Sequence, residues 1–211
     1  MAALDEGSLS PAFRAFVQNF FEDTLALTRR ELDLTFLTEL SPTEVLRARN
    51  LLQRNLHLRY TSIIEGLGLL GDASDARRLQ DLLDTESDSS RRLTIGKALW
   101  RIRRDPQFPV LLEQMITSDD ATLKQAHIDD VLLLGDHRSI AFLIRLLDDG
   151  DSFVRRLALS TLNALEFAAH YLTPTFPHDA EYYRARESDR ALVERLVSNL
   201  AADQTQWPVH T

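Results

Sequence analysis

Apolar residues along the chain fall into columns that recur at a fixed distance. Leu67, Leu99, Val131 and Leu162 form one column, spaced 32, 32 and 31 residues apart. Three residues later, Leu70, Ile102, Leu134 and Leu165 repeat the same spacings. A polar column runs beside them: Asp88, Asp120 and Asp151, with Arg92, Lys124 and Arg155 four residues after each. Leu70-Gly71-Asp72 returns as Leu134-Gly135-Asp136. One register held across a hundred residues defines a repeat of about 32 residues.

Each repeat reads as two short helices. Ile140, Leu143, Ile144 and Leu147 lie at i, i+3, i+4 and i+7, one apolar stripe. Asp148–Asp151 breaks it, and Val154, Ala158, Leu162 and Leu165 make the second stripe. The same pairing predicts helices over Val110–Ile116 and Leu123–Leu134, and over Ala76–Leu83 and Arg92–Ile102. Ser41-Pro42-Thr43-Glu44 is a capping box with proline at the first helical position. It opens a helix to about Arg54, followed by Leu58–Leu70. Helices this short are marginal alone, so each pair must bury its stripe on its neighbours.

At the N-terminal side, Ser10-Pro11 opens a further helix whose one face carries Phe13, Phe16, Val17, Phe20 and Phe21. Such a face suits a capping helix, with partner binding as the alternative. Beyond the repeats, Pro174 and Pro177 mark a linker. Ala180–Leu200 then carries Ala191, Leu192, Leu196 and Leu200 at helical spacing, a second cap. The expected organisation is capping helices over 1–40, then repeats at 41–72, 73–105, 106–137 and 138–167 within 41–172. Linker, C-terminal helix and tail follow over 173–211.

Composition agrees with helix. The chain has 38 leucines against 16 valines plus isoleucines, and only 7 glycines in 211 residues. The absence of cysteine excludes disulfides, thiolate catalysis, Cys-ligated zinc and iron–sulfur clusters. With 32 acidic and 24 basic residues the net charge is −8, which argues against nucleic acid and against an anionic membrane. The start carries no basic n-region, and no apolar run reaches the roughly 18 residues of a membrane span. The expected compartment is therefore cytoplasmic.

The segment Leu146-Leu147-Asp148-Asp149-Gly150-Asp151-Ser152-Phe153-Val154-Arg155-Arg156-Leu157-Ala158-Leu159 resembles a HEAT repeat of the short bacterial class named after phycobilin lyases. The Leu-Gly-Asp closings match the helix ends of that class. The resemblance spans about residues 41–167. It implies an all-α fold, a right-handed α-solenoid of about four HEAT-like repeats with helical caps. It also implies that Asp88/Arg92, Asp120/Lys124 and Asp151/Arg155 form a structural ladder between adjacent repeats. One departure is the second repeat, which closes on Ile102-Arg103-Arg104 instead of Leu-Gly. Arrays of this kind serve many functions, so the resemblance alone assigns none.

No phosphate-binding loop, dinucleotide fingerprint, nucleophile elbow or metalloprotease motif occurs. None of the six histidines is followed by glutamate, which removes the His-Glu dyads of HEAT-type di-iron hydroxylases. His127 is expected inside the core. His170 and His178, near Asp179 and Glu181, are too sparse to predict a metal site, and no cofactor is expected.

The functional surface expected from this architecture is the concave face, lined by the second helix of each repeat. Register places Thr61, Glu65, Lys97, Trp100, Gln125, Asp129, Arg156 and Asn163 there, with Arg101 and Arg104 beside Trp100. A tryptophan ringed by cations is a hot-spot composition; packing under the N-terminal helix is the alternative for Trp100. The second repeat is basic and the third, with Asp119, Asp120, Asp129, Asp130 and Asp136, is acidic, so the groove is expected to be bipolar. The reading is a non-catalytic module that binds a protein or peptide partner as a regulatory adaptor, inhibitor or immunity-type antagonist. The alternatives are a bilin lyase-like chromophore handler or a nucleic-acid-repair protein. The sequence sets no oligomeric state.

Overall fold

The computed structural model describes residues 9–22, 35–58, 60–167, 179–186 and 189–204. The described residues form packed helices joined by short turns and contain no strand. The chain divides into two compact units, Met1–Asp105 and Pro106–Thr211.

In the first unit, helix α1 (Pro11–Val17) is capped by Ser10, whose Oγ accepts from the Phe13 amide at 3.1 Å. It runs into a π-helical turn, Gln18–Glu22. Phe13, Phe16 and Phe20 are fully buried, with neighbouring ring centroids 5.6 and 4.9 Å apart, and Phe36 meets Phe20 edge-on at 6.5 Å. The aromatic face therefore closes a core. Helix α2 (Pro42–Asn55) starts with the expected capping box, and Glu44 also accepts from the Ser10 amide at 3.2 Å, tying the start of α1 to that of α2. Hydrogen bonds from Ser10 and then Ser41 hold the Glu44 carboxyl down at about 2.

Helix α3 (Thr61–Leu70) packs on α2, and α4 (Ala73–Thr85) on α5 (Ser89–Arg103). The two hairpins lie side by side, with α3 against α5. Gly68 makes that contact possible: a Cβ there would sit 2.8 Å from the Ala98 Cα, inside its backbone. Arg49 and Gln53 of α2 reach across to α4. Arg49 Nε donates to Asp75 at 2.5 Å, Gln53 Nε2 donates to the same carboxylate at 2.6 Å, and Arg49 also pairs with Asp72. Asp75 is 1% exposed, so this clasp satisfies a buried charge from the neighbouring hairpin.

In the second unit, α6 (Gln107–Thr117) pairs with α7 (Ala121–His127), and α8 (His137–Leu146) with α9 (Ser152–Phe167). α6 lies against α8 and α7 against α9. The continuous helix expected over Leu123–Leu134 is instead α7 followed by a 3₁₀ segment, Ile128–Leu134. The change of winding coincides with a buried side-chain bond: His127 Nδ1 lies 2.7 Å from Asp130 Oδ2. His127 is buried, as its register predicts.

The C-terminal segment is two helices rather than one. The short α10 (Ala180–Arg184) ends in a turn, and Asp189 starts α11 (Arg190–Gln204) by accepting from the Ala191 and Leu192 amides. Leu192, Leu196 and Leu200 are buried where α11 packs on α8 and α9. Glu166 of α9 fastens this segment. It accepts from Tyr182 Oη at 3.1 Å, Tyr183 Oη at 2.9 Å and Arg195 Nη2 at 2.6 Å.

Candidate functional site

The aspartates of the polar column cap the second helices. Asp88 accepts from the Arg91 amide at 2.7 Å, Asp120 from the Leu123 amide at 2.9 Å, and Asp151 from the Phe153 and Val154 amides, each at 2.9 Å. The amide bonds, that of Val154 first, also lower the Asp151 carboxyl pKa. The basic members turn elsewhere. Arg92 donates to the carbonyls of Leu83 and Glu86, and Arg155 to those of Asp149 and Gly150. Arg92 thereby neutralises the carbonyl-rich end of α4, while Arg155 satisfies carbonyls of the turn between α8 and α9. Lys124 bridges to the next hairpin by pairing with Asp149, and Gln125 Nε2 donates to Asp151 at 3.2 Å.

The environment of α5 differs from the expected open face. Every residue from Leu93 to Trp100 is buried, because both α3 and α4 pack on this helix. Trp100 is only 7% exposed, and the Arg104 guanidinium lies over its ring at 5.2 Å from the centroid. Lys97 is buried too, its Nζ 2.7 Å from Glu65 Oε1 on α3. An exposed tryptophan ringed by cations is therefore not what the fold builds. The basic character of this repeat is answered internally as well. Arg91 pairs with Glu86 at 3.0 Å, and Arg103 pairs with Asp105 at 2.6 Å and donates to Gln80 at 2.9 Å.

Arg104 is the one non-glycine residue at positive φ among the described residues, at φ 54°, ψ 45°. It closes α5 in the left-handed conformation that Gly135 supplies for the 3₁₀ segment at φ 71°. A left-handed arginine is conformationally costly, and here its guanidinium gains the Trp100 stack. Of the remaining first-unit positions, Arg104 is exposed, while Thr61, Glu65 and Arg101 are partly exposed.

In the second unit, Asp129 and Arg156 are exposed, and Gln125 and Asn163 partly so. Arg156 lies over the exposed ring of Phe153 at 4.8 Å. Tyr183 Oη lies 3.2 Å from Asn163 Oδ1, which draws Asn163 into the C-terminal docking network. Asp130 is engaged by His127 and Asp136 by Arg138. Asp129 is open at the surface, but its carboxyl is close enough to protein for desolvation to push its pKa up, with Asp130 adding repulsion.

Sequence reasoning missed the clasp of Arg49, Gln53 and Asp75 and the Glu166 hub, since neither pairing follows helical or repeat spacing. The His127–Asp130 bond was readable as an i, i+3 pair. His170 and His178 lie outside the described residues. Among the described residues no three or more His, Asp or Glu side chains are grouped to hold a metal. Nor is any helix long and apolar enough to cross a membrane. No family model, no curated protein and no solved structure matches the chain.

Proposed function

We propose that the chain is a HEAT-like α-solenoid that works as a cytoplasmic, non-catalytic interaction module. It holds a protein or peptide partner on the solvent side of its second helices, as an adaptor, inhibitor or immunity-type antagonist. The observation that carries this reading is the second-helix surface of the second unit. There Asp129 is exposed and so is Arg156, which lies over an exposed Phe153, while Lys124 pairs with Asp149 and Gln125 with Asp151 to join the two hairpins. A rigid polar surface with an aromatic at its edge suits recognition of another polypeptide, because little entropy is lost in ordering it.

Trp100 and Lys97 drop out of the contact set because they are buried. The surface offered is Asp129, Arg156, Gln125 and Asn163 in the second unit, with Thr61, Glu65, Arg101 and Arg104 as the first-unit counterpart. The test is co-purification from the native cell with Asp129→Lys/Arg156→Glu beside wild type, partners identified by mass spectrometry. A partner lost by the variant at unchanged helicity supports the reading. A partner set unaffected by this reversal removes the second-helix surface from consideration.

A further inference from the structure

The first helices of the hairpins treat their arginines in two ways. In the second unit both arginines of α8 are paired, Arg138 with Asp136 at 2.7 Å and Arg145 with Glu113 of α6 at 2.7 Å. In the first unit α2 carries three arginines, and Arg49 is taken up by Asp72 and Asp75 of α4. Arg47 and Arg54 are exposed, and among the described residues their side chains make no hydrogen bond, ion pair or ring contact. They stand at i and i+7 of one helix, so they share a face and lie about 10 Å apart along it. Exposed Asn50 lies between them, and Glu44, the single acidic residue of α2, is occupied by Ser10 and Ser41.

The flanks of this face add to it. Arg77 and Arg78 of α4 are exposed and equally without a partner among the described residues. Arg78 follows Ser74 by one turn, and Ser74 Oγ accepts from Arg49 Nη2 at 2.7 Å, so Arg78 is on the side of α4 turned to α2. Three of the five large apolar side chains exposed among the described residues belong to α2 and its exit: Leu46, Leu58 and Tyr60. Leu46 stands one turn before Asn50, on the same face as the arginines. Residues 1–105 hold 15 basic and 16 acidic side chains, and residues 106–211 hold 9 and 16. The negative surplus of the chain therefore lies in the second unit and leaves the first close to neutral.

We infer that the solvent face of α2, flanked by Arg78, docks an acidic polypeptide segment. That segment presents two carboxylates about 10 Å apart, two turns of a helix, to the forks of Arg47 and Arg54, and an apolar side chain to Leu46. Two features select a polypeptide over nucleic acid. Leu46 offers an apolar contact that a phosphate backbone does not use, and exposed Asp81, one turn after Arg77 and Arg78, interrupts the positive run such a backbone needs. This surface belongs to first helices and the one proposed above to second helices, so either can fail without the other.

The test uses the full chain and a fluorescein-labelled helical hexadecapeptide with glutamates at i and i+7 and a leucine between them, titrated at low salt by fluorescence anisotropy. Arg47→Gln/Arg54→Gln should weaken binding about tenfold at unchanged circular dichroism. The charge-matched Arg186→Gln/Arg190→Gln and the second-unit Asp129→Lys/Arg156→Glu should leave it unchanged, and the peptide with glutamine for both glutamates should not bind. No binding to wild type, equal binding to the Arg47/Arg54 variant, or an equal loss in the charge-matched control overturns the inference. A labelled single-stranded oligonucleotide is the rival probe. If it binds more tightly than the peptide and is lost in the same arginine variant, nucleic acid displaces the acidic polypeptide as occupant and the inference falls.

Discussion

Lys97 Nζ stands 2.7 Å from Glu65 Oε1, joining neighbouring second helices across 32 residues of chain. The Lys97 side chain is 11% exposed and that of Glu65 26%, so the pair lies between a surface bridge and a core bridge. Removing one partner leaves the other partly desolvated and unanswered. Lys97→Ala should destabilise the protein by about 2 kcal/mol. A double-mutant cycle with Glu65→Gln should return a coupling of about 1 kcal/mol in denaturant titration. Additive effects would show that the contact contributes nothing.

Gly68 is held by contact rather than by backbone conformation. A Cβ at this position would lie 2.8 Å from the Ala98 Cα and 2.9 Å from its Cβ, and backbone cannot step aside as a side chain can. Gly68→Ala should therefore lower stability by about 1–3 kcal/mol, although alanine is the better helix former. Thermal unfolding measures it, and an unchanged or raised Tm would mean that α3 and α5 lie farther apart.

Arg104 occupies a left-handed C-cap at φ 54°. Substitution there should invert the usual helix ranking. Arg104→Gly should be more stable than Arg104→Ala by about 1 kcal/mol, since both lose the Trp100 stack and only glycine relieves the backbone. Equal midpoints for the two variants would place this residue in ordinary helical geometry.

Tyr183 is fully buried against Glu166, and desolvation first, then its bond to that carboxylate, push its phenol pKa far above the ordinary tyrosine range. The folded state holds the phenol proton that the unfolded chain releases near pH 10. Its contribution is complete below pH 10 and is lost as pH rises above that value. Wild type should therefore show a steeper alkaline loss of Tm than Tyr183→Phe. Near neutral pH that variant should be less stable by about 1 kcal/mol, the worth of the hydrogen bond to Glu166.

Helix positions were readable from the chain because a helix start is a local device. Ser10, Ser41, Asp88 and Asp120 each bond the amide three residues away, so the sequence nearby contains both partners. The buried columns were readable for a related reason. Leu67, Leu99, Val131 and Leu162 repeat because each must fill the same seat between neighbouring helices, and all four are 1% exposed or less. The break at His127 was less visible, since Leu123–Leu134 keeps an apolar pattern that α-helical and 3₁₀ winding both tolerate.

The candidate surface was only half legible. Register placed Asp129 and Arg156 on the second helices, and both are exposed. Register placed Lys97 and Trp100 there as well, and both are buried. Nothing within α5 separates the two outcomes, because burial from Leu93 to Trp100 comes from helices packed on several sides of it.

Local physics settled by sequence alone comprises the all-helical class, the caps, and the leucine columns that make each helix pair need a neighbour. The tertiary structure decided which charges face solvent and which face each other. Glu65 has Lys97 within reach, Asp75 has Arg49 and Gln53, and Glu166 has two tyrosines and an arginine, all from elements 16 to 32 residues away. A charge is free to bind a partner only when no such neighbour answers it, and which neighbours a side chain meets is a property of packing in space, not of order along the chain.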